Sequence, residues 1–463
     1  GDVLEIRARG PLGMTAEVSL FEGRQVVPLT ESANEDHDST GIYSLLYRVP
    51  SGVVEQPSPA IIRMKAAGSE EWALEAASTG KIEIWDGTKV RVGEATEDGT
   101  AITFGTHTVR LGGPYLVEMP EGTRFEVIGR QGERYRIRLS SSLTGWVTAK
   151  FARILPDGTP LPQAMFTSFT VSGDEQYDKI WFPMKEKVIV AITPEYGRDI
   201  FLQMDFFNTH FAATWISHKT GAQVIGTVTG RQMEDGRFRV TVPLRGNMIW
   251  GYWLEREENG NLVLCVRRPP ALAPRPESAL KGLKIAIEAG HGGSGSGAVG
   301  FMGTNEKTVN TMAVKATRKV LEERGAEVVE VRPGDSNPSL GERTEMAFQE
   351  GCHFYLSIHA NAAGTDRGFL RVSGTSTYFR DPQNEPAARY VYDNLLKLGW
   401  DEFGVVGNFH YYPLRDTRMP SMLVEQAFMS HPGDEARLLD PEYQREQALA
   451  IVDGMEKFLD SLR

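Results

Sequence analysis

The chain has 463 residues, 41% apolar and 24% charged, which is ordinary for a globular protein and long enough for several domains. Its formal net charge of -11 excludes a nucleic-acid binder working through a basic face. No apolar run approaches the ~20 residues that span a bilayer, and the two cysteines, Cys265 and Cys352, fall in what read as different domains, so no disulfide framework is expected.

The first 270 or so residues read as all-β. Val3–Arg7, Ala16–Leu20 and Tyr43–Tyr47 alternate apolar and polar residues between Gly, Pro and Asp, and three prolines between Pro50 and Pro59 turn the chain before Ala60–Met64. This predicts a small β-sandwich over residues 1–70. Next come Lys89–Gly93, the turn Met119-Pro-Glu-Gly-Thr123 with its following strand to Gly129, Tyr135–Leu139 and Gly145-Trp-Val-Thr148. These motifs resemble the bacterial SH3-like barrel and imply such a domain over residues 80–156. A third all-β domain is expected over 160–267, with Lys187–Thr193 and Arg237–Val242 as its clearest strands. Its His210 and His218 share a parity on extended chain, but two histidines without a third donor read as structural. Residues 268–280 form a Pro-rich linker, extended and semi-rigid.

From residue 281 the period changes. Leu283–Glu288 is a buried strand, Glu306–Arg324 carries a helical apolar stripe stopped by Gly325, and Ala326–Arg332 is a second strand. Leu340–Phe348 reads as a helix, His353–His359 as a strand, Pro386–Trp400 as a helix, Ser421–Phe428 as a strand and Pro441–Leu462 as a closing helix. The predicted fold is therefore multidomain: N-terminal β modules, then an α/β domain over 281–463 with a mostly parallel sheet flanked by helices. Functional groups should collect beyond the carboxyl ends of its strands.

Such groups occur there. Glu288-Ala-Gly-His291-Gly-Gly, Asn305-Glu306-Lys307 and Ser357-Ile-His359-Ala-Asn361 supply two imidazoles and a carboxylate, the donor types of a catalytic zinc site with one position left for water. Leu423-Val-Glu425-Gln adds another carboxylate. Glu288 has two readings, a hydrogen bond to a ligand imidazole or a place in solvent. The glycines from Gly290 to Gly300 also satisfy G-x-G-x-x-G, but Phe301–Thr304 separates them from the helix that should open on a dinucleotide phosphate.

From Gly282 onward the chain resembles the zinc-dependent N-acetylmuramoyl-L-alanine amidases of bacterial cell walls. The ordered motifs are Gly290-His-Gly-Gly293, Glu306-Lys307, Ser339-Leu-Gly-Glu-Arg343, Ser357–Asn361 and Leu423–Ser430, with Asn408–Arg415 and Asp434-Glu435 in family-like positions. The resemblance implies Zn2+ held by His291, Glu306 and His359, with Glu425 as the catalytic carboxylate. The bond cut would join the lactyl carbonyl of N-acetylmuramic acid to the L-alanine amine of the stem peptide. Asn361 and His431 are candidate substrate contacts, and Arg343 is read either as a cleft residue or as a structural ion-pair partner. Three departures stand out: Glu288-Ala289 for Asp-Pro, Gln426-Ala427 for Leu-Gly, and His431-Pro432 for Asn-Pro. The short span from Asn361 to Asn408 predicts an open cleft without an inserted occluding helix.

The expected substrate is peptidoglycan or its fragments, met outside the cytoplasm after removal of a signal peptide. The β modules are expected to target the wall, dock a regulatory protein partner or gate the site, and the expected state is a monomer. Two other functions fit some of these features: a zinc peptidase trimming stem peptides, and an inactive wall-binding scaffold.

Overall fold

The structure, a computed structural model, describes residues 2–33, 40–105, 115–364 and 369–463. The chain divides into two compact units: Gly1–Glu97 with Arg124–Arg138 and Trp146–Leu161, and Asp98–Thr123 with Leu139–Gly145 and Pro162–Arg463.

In the first unit, six antiparallel strands lie in the order Val3–Pro11, Thr40–Arg48, Gln25–Ala33, Met14–Leu20, Glu55–Ala66, Leu74–Ile84. The Gln25–Ala33 strand serves two neighbours in turn: Gln25–Leu29 pairs with Met14–Leu20, and Thr30–Ala33 with Thr40–Arg48. Ala16, Val18 and Leu20 alternate into the core, as the period-2 pattern requires. The sheet passes the expected boundary at residue 70, because Leu74–Ile84 pairs along Glu55–Ala66. Arg91–Ala95 sits between Ala152–Ile154 and Arg124–Gln131, and the latter pairs in turn with Arg134–Arg138.

The second unit contains the hairpin Thr100–Thr103/Tyr115–Met119, so the stretch expected as one domain over 80–156 is shared between the units. Beyond it, five strands of one sheet and four of another enclose a core rich in phenylalanine. Phe166 and Phe182 from the first sheet meet Phe206 and Phe238 from the second at centroid separations of 4.9 to 5.6 Å.

The C-terminal part is built from β1 (Lys284–Ala289), α1 (Glu306–Glu323), β2 (Glu327–Glu330), α2 (Leu340–Gln349), β3 (Phe354–Asn361), β4 (Thr375–Tyr378), α3 (Glu385–Leu396), β5 (Glu402–Val406), α4 (Tyr412–Arg415), β6 (Ser421–Phe428), α5 (Pro432–Leu438) and α6 (Pro441–Asp460). Its sheet runs β2-β1-β3-β6-β4-β5; every neighbouring pair is parallel except β4–β6. β1, β3 and β6 are near-continuous apolar runs because helices cover both faces, with Ile285, Ile287, Leu356, Ile358, Met422 and Val424 in one core. Ser339 and Glu342 close a capping box on α2, and Gly325 at φ +85° ends α1 where a side chain would be strained. Gly325 thus turns the chain at the amino end of β2, and Ser339 opens α2 beyond its carboxyl end. The polar residues gather instead in the loops after β1 and β3, which lead to α1 and β4.

Candidate metal centre

His291 lies two residues beyond β1 with φ +66°, a left-handed conformation that needs outside support in a residue with a Cβ. Arg343 supplies it, donating from Nη2 to the His291 carbonyl at 2.9 Å, while Arg332 Nε holds the Ala289 carbonyl at 2.7 Å. The Arg343 charge is met by Glu288 at 2.6 Å, and Tyr355 donates to the other Glu288 oxygen at 3.0 Å. Both members of the pair are buried. Glu288 therefore neither bonds a ligand imidazole nor reaches solvent; it neutralises the guanidinium that anchors the His291 backbone. Arg343 is accordingly an ion-pair partner.

Glu306 opens α1 and puts its carboxylate between both imidazoles. Oε2 is 3.0 Å from His291 Nε2 and accepts from Ala298 N at 2.9 Å. Oε1 is 3.0 Å from His359 Nδ1 and accepts from Ala360 N and Asn310 Nδ2, each at 3.2 Å. Burial alone would raise the Glu306 pKa, but the bonds to His291 and His359 and their charges outweigh it and hold the carboxyl far below the usual range. Burial likewise opposes charge on His359, yet the Glu306 bond and the Glu425, Glu306 and Glu288 charges push it up to about 9. Two imidazoles sharing one carboxylate are also the donor types that take a divalent cation, which binds once the imidazoles are neutral.

The donor set fits one. The three ligand atoms lie within 4.8 Å of one another, and among the described residues no other group of three such side chains does so. His291 remains about one-third exposed, which leaves a solvent side for water and substrate. Two glycines make room for the rings. A methyl at Gly290 would overlap the His359 ring, and one at Gly297 would come within 2.5 Å of Glu306 Oε2 and 2.6 Å of His291 Cδ2. The glycine-rich loop is thus shaped around imidazoles. Its Gly293 N–H already donates to Asp335, and Lys307 ties Gly293 O to the same aspartate, an arrangement unlike a phosphate cradle.

Glu425 stands on β6 directly across from His359 in the parallel register and from Ser376 on the other side. Burial and then the Glu425 charge push Tyr378 up to about 12. Asn361 ends β3, its Oδ1 accepting from Ala362 N at 2.8 Å and its Nδ2 3.5 Å from the Tyr378 hydroxyl. His431 caps α5: its Nδ1 accepts from Asp434 N at 3.2 Å and lies 2.9 Å from the Asp434 carboxylate. His410 is 3.1 Å from Asn408 Oδ1 and faces Tyr115. His218 accepts from Val228 N, and His210 lies 3.9 Å from Asp235.

The role of Glu435 was not legible in the sequence. It is wholly buried and accepts from Met302 N at 2.7 Å and Thr304 N at 3.3 Å, fixing the loop that presents Ala298 N to Glu306. The sequence marked it only through the family-like Asp434-Glu435 pair and its place in the first turn of a helix, where acidic residues are common. Between residues 362 and 407, the one α-helix among the described residues is α3, which packs so closely on α6 that a methyl at Gly454 would press on the Val391 backbone.

Residues 285–457 match the family model for N-acetylmuramoyl-L-alanine amidase. The chain is 34% identical to the uncharacterized protein YqiI of Bacillus subtilis over 41% of its own length and 92% of that protein. It is 30% identical to the sporulation-specific N-acetylmuramoyl-L-alanine amidase of the same organism, over 38% of this chain and 68% of that protein. Among solved structures, the amidase AmiC2 of Nostoc punctiforme is 33% identical, covering 38% of this chain and 97% of that one with a TM-score of 0.36. By its sequence identity to relatives covered over two thirds or more of their length, together with the family-model match, the chain belongs to the N-acetylmuramoyl-L-alanine amidase family.

Proposed function

We propose that this amidase holds zinc through His291, Glu306 and His359 and uses Glu425 as its proton-transfer carboxylate. The observation that carries the reading is the three-donor group, with Glu425 one strand away in register with His359. Zinc there supplies a Lewis acid for the scissile carbonyl and brings the pKa of water from ~15.7 towards ~7. Glu425 accepts a proton as the water oxygen attacks the lactyl carbonyl carbon of N-acetylmuramic acid. It returns that proton to the nitrogen of L-alanine as the C–N bond breaks, which requires a reach of ~3 Å at each step. Arg343 and Glu288 keep the His291 backbone in its strained geometry throughout. Asn361 lines the same end of the sheet and contacts substrate, whereas His431 acts through its cap on α5.

The Gly-Thr turn at Gly122-Thr123 and the strand containing Trp146 support an SH3-like reading of residues 80–156, with a role in wall targeting, partner docking or gating. No helix among the described residues is long and apolar enough to cross a membrane. A wall substrate requires that the protein act outside the cytoplasm.

Digestion of purified peptidoglycan followed by mass analysis tests the reaction. Intact stem peptides with a free L-alanine amine are expected. Shortened stem peptides would make the protein a peptidase, zinc binding without product would mean gating by the β modules, and neither zinc nor product would make it a wall-binding scaffold.

A further inference from the structure

Behind the metal centre lies a chain of buried side-chain amides that the proposed reaction does not use. Gln426 follows Glu425 on β6 and is fully buried. Its Nε2 donates to the His359 carbonyl and to Asn310 Oδ1, each at 3.1 Å. Asn310, one turn into α1 and also fully buried, donates from Nδ2 to Glu306 Oε1 at 3.2 Å and to the Gly290 carbonyl at 3.3 Å. On the far side, Gln426 Oε1 accepts from Gln447 Nε2 at 2.7 Å and from Gln444 Nε2 at 3.4 Å, both from α6. The amides form one path from α6 through β6 and α1 to Glu306, with branches to the backbone at His359 and Gly290.

This is an expensive way to fill a core. At the α6 end, Gln444 Oε1 and Gln447 Oε1 find no hydrogen-bond partner among the described residues. A partly satisfied polar network stabilises a fold less than apolar packing of the same shape would. At the other end, by contrast, the path closes on a Glu306 carboxylate oxygen, on the His359 carbonyl and on the Gly290 carbonyl beside His291. We infer that Gln426 and Asn310 are positioning residues for the metal: they fix the rotamer of Glu306 and the backbone of His359 so that the donors are set before the cation arrives.

Partners of metal ligands typically change metal affinity by ~10–100-fold when removed. The inference rests on the zinc reading of the site, and the test separates the two. Zinc affinity is measured by chelator competition on the full chain for wild type, Gln426→Leu, Asn310→Leu and the double variant, with thermal unfolding of the metal-free proteins alongside. The expected result is a loss of ~10–100-fold in each single variant and a double variant at least as weak as the weaker single, since each residue also reaches the site by a bond of its own; any drop in metal-free melting from amides left unpaired is read separately from affinity. If Gln426→Leu does not fold, Gln447→Leu at the far end of the path replaces it and should give a smaller loss in the same direction. Wild-type affinity in the folded variants would overturn the inference while leaving the zinc site intact. A wild type that binds no zinc would overturn the function instead.

Discussion

The two cores of the second unit fill their interiors in opposite ways. Between the five- and four-stranded sheets, Phe166, Phe182, Phe206 and Phe238 interlock and polar groups are few. At the carboxyl end of the C-terminal sheet, Glu288, Arg343, Glu306, Asn310, Gln426, Asp434 and Glu435 are all buried. The first arrangement stabilises without regard to direction, because apolar burial is roughly proportional to area. The second is directional: Arg343, held by Glu288, anchors the His291 backbone, and Gln426 and Asn310 lead to Glu306 and the His359 backbone. Buried polarity that converges on one point marks the working end of the molecule.

That contrast can be broken by mutation. Arg343→Met should have the largest effect, since it strands Glu288 as a buried, uncompensated charge; a loss of about 3–5 kcal/mol is expected from chemical denaturation. Zinc affinity should fall with it, because the His291 carbonyl loses its donor. Phe206→Ala should cost a similar or slightly smaller amount, about 3–5 kcal/mol, through the cavity it leaves, yet zinc affinity of the folded protein should stay at the wild-type value. Equal damage to metal binding from both would erase the distinction.

Replacing the whole pair sharpens the comparison. Glu288→Leu with Arg343→Met should recover most of the stability lost in the single variant, to within about 1 kcal/mol of wild type, since matched apolar groups often substitute for a buried ion pair. Zinc affinity should remain low, because the anchor on His291 is still missing. The smallest effect belongs to Arg318→Ala. Its pairs with Glu322 and Glu330 are solvent-exposed on the Arg318 side, so unfolding should shift by less than about 1 kcal/mol and activity should not change.

Much of the C-terminal architecture was legible because its periods are strong. The apolar stripe from Val309 to Leu321 and the runs of β1, β3 and β6 announce helix and strands without ambiguity. The three-donor cluster was legible for a different reason: His291, Glu306 and His359 each sit where a strand ends or a helix begins. Leu74–Ile84 was missed because it is a largely exposed edge strand whose Ala, Ser, Thr and Gly give no alternation to read. The partner of Glu288 could not be read either, since Arg343 is 55 residues away and meets it only after β1 and α2 pack. Gln426, Asn310, Gln444 and Gln447 look like solvent-facing residues in sequence, and only the fold turns them inward.

The central claim is that Glu425 moves protons beside a metal held by other residues. Glu425→Gln keeps the shape and removes the base. Zinc content and release of intact stem peptides from peptidoglycan, measured together, test the claim most directly. Full zinc occupancy with kcat lowered by ~10²–10⁴-fold is the predicted result. Undiminished turnover, or loss of zinc in a folded protein, would contradict it.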